Sequence, residues 1–210
     1  MTEKMAPSCK AQRAESRRQQ VLEAAVICFR RSGFRGASMS DISALAGMST
    51  GHIYHYFKSK EAIVEAIVER DLQQGQGAID FIKESDDIVG ALIEAAADCV
   101  IDRSHFSDPA LMLEIFAEAS RNPTVSAIMN DCKKAIRQSL LDTMESGRKQ
   151  GSISAEADIE VACTMLMLIY DGITIQSALN PLFHREAIKQ QVELLLNRIL
   201  RPVSGQISAA

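Results

Sequence analysis

The chain has 210 residues, 47% hydrophobic and 24% charged, enough apolar material for one large domain or a small domain joined to a larger one, and too much for wholesale disorder. Tryptophan is absent, aromatics make up 5%, and nine methionines accompany only five prolines and eleven glycines, a composition that favours helices over a turn-rich all-β chain. The net charge of −4 hides a division: residues 1–60 carry ten Lys or Arg against four acids, a net +6, and the rest carry thirteen against twenty-three, a net −10.

One end of such a chain is expected to meet a polyanion, a solvated basic face being the plain alternative. Residues 1–14 read as a flexible basic arm without the apolar core of a secretion signal. Val21, Leu22, Ala25, Ile27, Cys28 and Phe29 follow helical spacing. Gly33 offers a left-handed stop, with Phe34 placed to fold back on the last turn. Ser38-Met39-Ser40-Asp41 has the form of a capping box, so a short helix begins there and ends at Gly47. A second short helix is predicted over 50–57 and a longer one from about 59 to 81. Further helices are predicted near 86–103, 108–120, 123–149, 156–180 and 185–200, punctuated by Pro109, Asn122-Pro123, Gly147–Gly151 and Asn180-Pro181. The fold class is therefore all-α with about nine helices. The longest nearly unbroken apolar stretch, Val161–Tyr170, falls short of the roughly 18 residues of a membrane helix, so no membrane partner is expected. Residues 204–210 read as a flexible tail.

Five cysteines (9, 28, 99, 132 and 163), odd in number and without a C-x-x-C pair, argue against disulfides or a zinc knuckle and for a reducing cytoplasm. Cys28, Cys99 and Cys163 have apolar neighbours and read as core, with a redox-sensing thiol as the alternative.

The segment 38–60, SMSDISALAGMSTGHIYHYFKSK, carries the function. Helix, tight turn and helix make a helix-turn-helix, whose second helix enters the DNA major groove. Ile42, Leu45 and Ile53 are spaced to face inward, with Ala46 small where two helices approach. Ser49 caps the second helix, and Gly51 lets a backbone approach DNA. Ser38, Thr50, Tyr54 and Lys60 are expected on phosphates, with Arg17 and Lys58 adding positive charge. His52, His55 and Tyr56 are expected at base edges. Tyr56 and Phe57 could instead be core aromatics. His52-x-x-His55 has metal-ligand spacing but no evident third ligand, so neither metal nor cofactor is expected.

The run from Asp41-Ile42 through Ala46-Gly47-Met48-Ser49-Thr50-Gly51-His52-Ile53-Tyr54-His55-Tyr56-Phe57-Lys58-Ser59-Lys60 resembles the DNA-binding signature of TetR-type transcriptional repressors, and Ile27–Phe29 with Gly33-Phe34 resembles that family's first helix and its stop. The likeness covers roughly residues 15–70. Beyond it only length, helix count and the Tyr170-Asp171-Gly172 step agree. Met48 stands where a smaller β-branched residue is usual, and His52 at a variable position. The resemblance implies an all-helical homodimer with a small-molecule pocket in each C-terminal domain. The expected division is a helix-turn-helix domain over 15–60 and a ligand-binding and dimerisation domain over 61–203.

A dimer is expected on physical grounds too. One short helix reads few base pairs, so a palindromic operator needs two copies. The stretch 161–170 is apolar around nearly its whole circumference, and Val192, Leu195, Leu196 and Ile199 (with Ile188) share a face of the next helix. Leu168, Asp171, Val192, Leu195, Leu196 and Ile199 are the candidate interface, a helix buried within one subunit being the alternative. Phe81, Met112, Phe116, Met165, Ile169 and Ile173 are candidates for an apolar effector pocket, although Met-rich stripes are often plain core. Among Glu94, Asp98 and Asp102, an inward Asp98 would take a cationic amphiphile; a solvated acidic face is the alternative. The expected function is an effector-responsive, sequence-specific repressor. An architectural DNA binder without effector is the rival, and an enzyme is disfavoured because no recognised motif surrounds His52, His55, His105 or His184.

Overall fold

The computed structural model describes the backbone of residues 9–101, 108–180 and 185–201, and the side chains of 12–96, 108–180 and 188–201. Among the described residues all regular structure is helical: α1 (Cys9–Gly36), α2 (Met39–Leu45), α3 (Thr50–Tyr56), α4 (Lys60–Lys83), α5 (Ile88–Ile101), α6 (Pro109–Ala119), α7 (Pro123–Gln150), α8 (Ile159–Leu179) and α9 (Arg185–Leu200). The architecture is all-α, as expected.

Local chemistry explains the boundaries. Helices α2 to α8 each open on a side chain that accepts an orphan amide of the first turn: Ser38, Ser49, Ser59, Asp87, Asp108, Asn122 and Asp158. At Ser38 the box is reciprocal, because the Asp41 carboxylate accepts the Ser38 amide at 2.9 Å. Gly33, Gly47 and Gly151 sit at φ +70°, +62° and +80° and end their turns where a side chain would be strained. Gly147 is not a stop. Helix α7 continues through it, and Ile153 packs where its side chain would stand. Helix α8 consequently starts at Ile159 and not near 156, since Ile153 and Ala157 are drawn into the core.

Helix α1 reaches back to Cys9, into the segment expected to be a loose arm. Residues 10–20 are largely Ala, Gln, Arg, Glu and Lys, strong helix formers that extend the first helix without tertiary help. Residues 1–8 and the tail 204–210 lie outside the described residues.

The chain divides into two compact units. Met1–Ile67 joins with Glu114–Ser126 in the first, the head, and Val68–Leu113 joins with Ala127–Ala210 in the second, the body. This differs from the expected boundary at 60/61, because the head takes seven more residues of α4 and a segment from far downstream. The head buries Val21, Leu22, Ala25 and Phe29 of α1 together with Ile42, Ile53, Phe57, Ile63, Val64 and Ile67. The body's core joins Ile82, Ile88, Val89 and Leu92 to Met144, Ile153, Ala162, Cys163, Val192, Leu196 and Leu200.

By length and composition α8 could cross a membrane, with a mean hydropathy of 1.4 over its most apolar window, so the expectation that no segment is long enough is corrected. Its charged residues are Glu160 in the first turn and Asp171 in the middle. Here it is a bundle helix: Ala162, Cys163, Ile173 and Thr174 are buried, and the Asp171 carboxylate pairs with Lys133 of α7 at 2.5 Å.

Candidate nucleic-acid interface

Helix α3 is seven residues long, too short to hold itself, and is clamped at both ends. Ser49 accepts the His52 amide at 3.2 Å, and Phe57 is buried just past the last turn beneath the Arg18 guanidinium, 5.2 Å from its ring centre. Ile53 is fully buried, which fixes the rotation of the helix and turns His52, Tyr54 and His55 outward. The rings of His52 and Tyr56 lie 5.3 Å apart and those of His55 and Tyr56 5.5 Å apart, so the outward face is a packed aromatic and imidazole surface. Beyond its chain neighbours and its own helix backbone, nothing lies within 4 Å of where a Cβ on Gly51 would stand, which leaves that side of α3 open at its start.

The turn between α2 and α3 is held from inside. The buried Ser43 hydroxyl donates to the Ser40 carbonyl and meets the Thr50 hydroxyl at 2.9 Å, and the Gln20 amide of α1 donates to the Ala46 carbonyl at 2.8 Å. Neither role was legible locally, since both side chains read as ordinary polar residues. Asp41 is held below the usual carboxylate range by the Ser38 hydroxyl and then the Ser38 amide.

Several side chains expected on DNA also have partners within the protein. The hydroxyls of Ser38 and Thr50 are engaged within the protein. Lys60 has a role inside the head: its ammonium donates to the carbonyls of Phe34 (2.5 Å) and Ala37 (2.8 Å) and lies 4.5 Å from the Phe34 ring centre, which ties it to the end of α1. Lys60→Ala is therefore expected to lower the stability of the chain by about 1.5–3 kcal/mol, the usual worth of hydrogen bonds to a charged group. Thermal unfolding checks this. An unchanged midpoint, with DNA affinity losing about one unit of its salt slope, would return Lys60 to the phosphates. Arg17, Tyr54 and Lys58 remain exposed; Lys58 donates to the Tyr54 carbonyl at 2.9 Å, and Arg17 to Gln20.

Sequence reasoning missed the acidic side of the head. The Glu114 carboxylate of α6 accepts the Phe34 amide at 2.6 Å, and Glu118, 3% exposed, accepts from Arg121 at 2.7 Å and Arg35 at 3.3 Å. Burial pushes the Glu118 carboxyl up, but the hydrogen bonds of Arg121 and Asn122 and the charges of Arg121 and Arg35 outweigh it and hold the group below its ordinary range.

The expected effector and interface residues scatter. Phe81 is 74% exposed, because Ile79 and Ile82 take the inward positions of α4, and Met165 also faces outward. Met112 and Ile173 are buried in the body and Ile169 packs against its core. Phe116 falls in the head segment, and the Asp98 side chain lies outside the described residues. Val192 and Leu196 belong to the body's own core, so they leave the interface set, with Ile199 packed beside them and Leu195 half-buried. The outward apolar side chains are Val161, Met165, Leu168 (60% exposed) and Leu179 of α8, joined by Leu194 (64%) of α9. Burial pushes the thiols of Cys28, Cys132 and Cys163 up, and Cys28 and Cys163 are buried. Among the described residues no three His, Cys, Asp or Glu gather as a metal site.

Residues 21–67 match the family model described as "Bacterial regulatory proteins, tetR family", and residues 91–201 match "BetI-type transcriptional repressor, C-terminal". The chain is 27% identical over 189 residues to the HTH-type transcriptional regulator UidR of Escherichia coli K12, covering 89% of this chain and 94% of that one. It is 24% identical over 155 residues to the HTH-type transcriptional repressor AcnR of Corynebacterium glutamicum, covering 74% and 78%. Among solved structures, Salmonella enterica GusR is 30% identical with a TM-score of 0.76, covering 88% and 95%.

Proposed function

Because this chain belongs to the TetR family and is a helix-turn-helix DNA-binding regulator of transcription, not an enzyme, we propose that it is a dimeric repressor that reads a palindromic operator through α3 and leaves it when a small apolar or amphiphilic effector binds the body. The observation that carries the reading is α3 itself: a seven-residue helix with Ile53 anchored inward, both ends clamped, and His52, Tyr54 and His55 turned out beside the open side of the helix at Gly51. His52, His55 and Tyr56 reach base edges, while Arg17, Ser49, Tyr54 and Lys58 hold phosphates. Met112, Ile169 and Ile173 line the effector site. The outward stripe of α8 with Leu194 of α9 pairs with its copy, and the protein works in the cytoplasm, where it meets DNA.

Recovery of duplexes from a random-sequence pool tests the reading: a palindromic consensus supports it, and indiscriminate recovery favours an architectural binder. With the recovered duplex, His55→Ala is expected to relax preference at one position of each half-site, at about 1–3 kcal/mol per lost contact, with the salt slope unchanged. Uniform weakening on every sequence would make His55 a backbone contact instead.

A further inference from the structure

The break in α1 leaves backbone groups that the helix no longer satisfies. Gly33 at φ +70°, ψ 167° turns the Phe34 amide out of the helical ladder, while the Phe34 ring stays buried against Phe29 at 5.4 Å. A buried amide without a partner is costly, so the source of its acceptor matters. It is Glu114, eighty residues downstream of Phe34, whose carboxylate takes the amide at 2.6 Å. The Phe34 and Ala37 carbonyls are taken by Lys60 of α4, and the Gly33 carbonyl accepts the Ala37 amide. Ala37 is followed directly by Ser38, the cap of α2. The fit is close: a Cβ on Gly33 would stand 3.0 Å from Glu114 Oε1.

We propose that Glu114, outside the helix-turn-helix, is a positioning residue for DNA reading: its carboxylate closes the break at Gly33 and fixes the direction in which the chain leaves α1 for α2, and through α2 the placement of α3. The proposal rests on α3 being the reading helix. It has a sign that electrostatics opposes. Glu114 adds negative charge to the unit that meets phosphates, so removing it should strengthen binding to any DNA if charge were its only role. If it positions the head, removing the acceptor weakens specific binding alone.

The test uses the full chain, a labelled duplex recovered by the wild type from a random-sequence pool, and poly(dI-dC) as non-specific DNA. Glu114→Ala is expected to bind the recovered duplex about tenfold more weakly, the scale of one charge-assisted hydrogen bond, with poly(dI-dC) affinity equal or higher. Glu114→Gln keeps an oxygen that accepts the Phe34 amide and should stay within about twofold of wild type on the recovered duplex. A specific-to-non-specific ratio unchanged in Glu114→Ala overturns the proposal, as does an equal loss in Glu114→Gln. Should Glu114→Ala not fold, Glu114→Asp withdraws the carboxylate by one methylene and is read by the same ratio, where a drop supports the proposal and no change overturns it. A wild type that recovers no sequence would overturn the DNA-reading role itself, and is seen before any variant is made.

Discussion

Leu168→Glu is expected to convert the chain to a monomer and to cost at least a hundredfold in affinity for its recovered duplex. Val161, Met165, Leu168 and Leu179 recur along α8 at spacings that keep them on one side, and all are exposed, with Leu194 of α9. A stripe of large apolar side chains is covered by something in a working protein. Under the dimeric reading proposed above, a two-fold partner is that cover, since two recognition helices would reach two half-sites. In an interface made of the same patch twice, one substitution inserts two carboxylates. Two like charges brought together and dried cost several kcal/mol, on the order of a thousandfold in association. The monomer keeps its basic head and its non-specific binding but loses the second half-site, an effective-concentration advantage of about a hundredfold or more. Sedimentation of wild type, Leu168→Glu and Ile27→Glu gives the answer. Ile27 is equally bare but lies on α1, so its variant should retain the dimer mass. A Leu168→Glu protein of wild-type mass would end the claim for this face.

What the sequence made legible was local, and what it hid was not. Ser38 with Asp41, Ser49 and the glycines at 33 and 47 act on backbone groups within four residues, so their chemistry reads directly from spacing. Ile42, Ile53 and Phe57 were legible because a short amphipathic helix has one apolar face to bury, but Leu45, expected inward, is 49% exposed at the last position of α2. The structural role of Lys60 was hidden because Lys-Ser-Lys beside a recognition helix suggests phosphates, while the carbonyls it meets within the protein lie 23 and 26 residues upstream. Glu114 and Glu118 carry no local mark at all; an acid on a mid-chain helix reads as solvated until the break at Gly33 is seen beside it. The division of α8 and α9 into inner and outer faces failed for another reason. When apolar residues surround a helix, periodicity no longer says which side meets the chain's own core, so Val192 and Leu196 were assigned outward while Leu194 went unnoticed.

The second large effect is a reciprocal one: an effector that releases the duplex about a hundredfold must itself bind about a hundredfold more weakly when the duplex is present, a coupling of about 2.7 kcal/mol. The physical route is α4. It is a single helix of 24 residues, roughly 36 Å long. Ile63, Val64 and Ile67 are buried at its start, and Val68, Ile79 and Ile82 beyond. Its buried side chains lie toward its two ends, in the head and in the body, and Lys60 at its first turn is tied to the end of α1. The outward Phe81 is no handle for a ligand, so the push must enter through the inward side chains Ile79 and Ile82 or through α6, which passes from Leu113 in the body to Glu114 in the head. Successive major grooves lie about 34–36 Å apart, so a displacement of a few ångströms per subunit suffices to misplace both α3 helices. Such a shift occurs only if the effector binds the displaced arrangement better than the DNA-bound one by the stated margin. Calorimetric titration of a releasing compound into the free dimer and into the dimer–duplex complex measures it from the other side. Equal affinities in the two titrations would show that compound and operator are not coupled, however tightly each is bound.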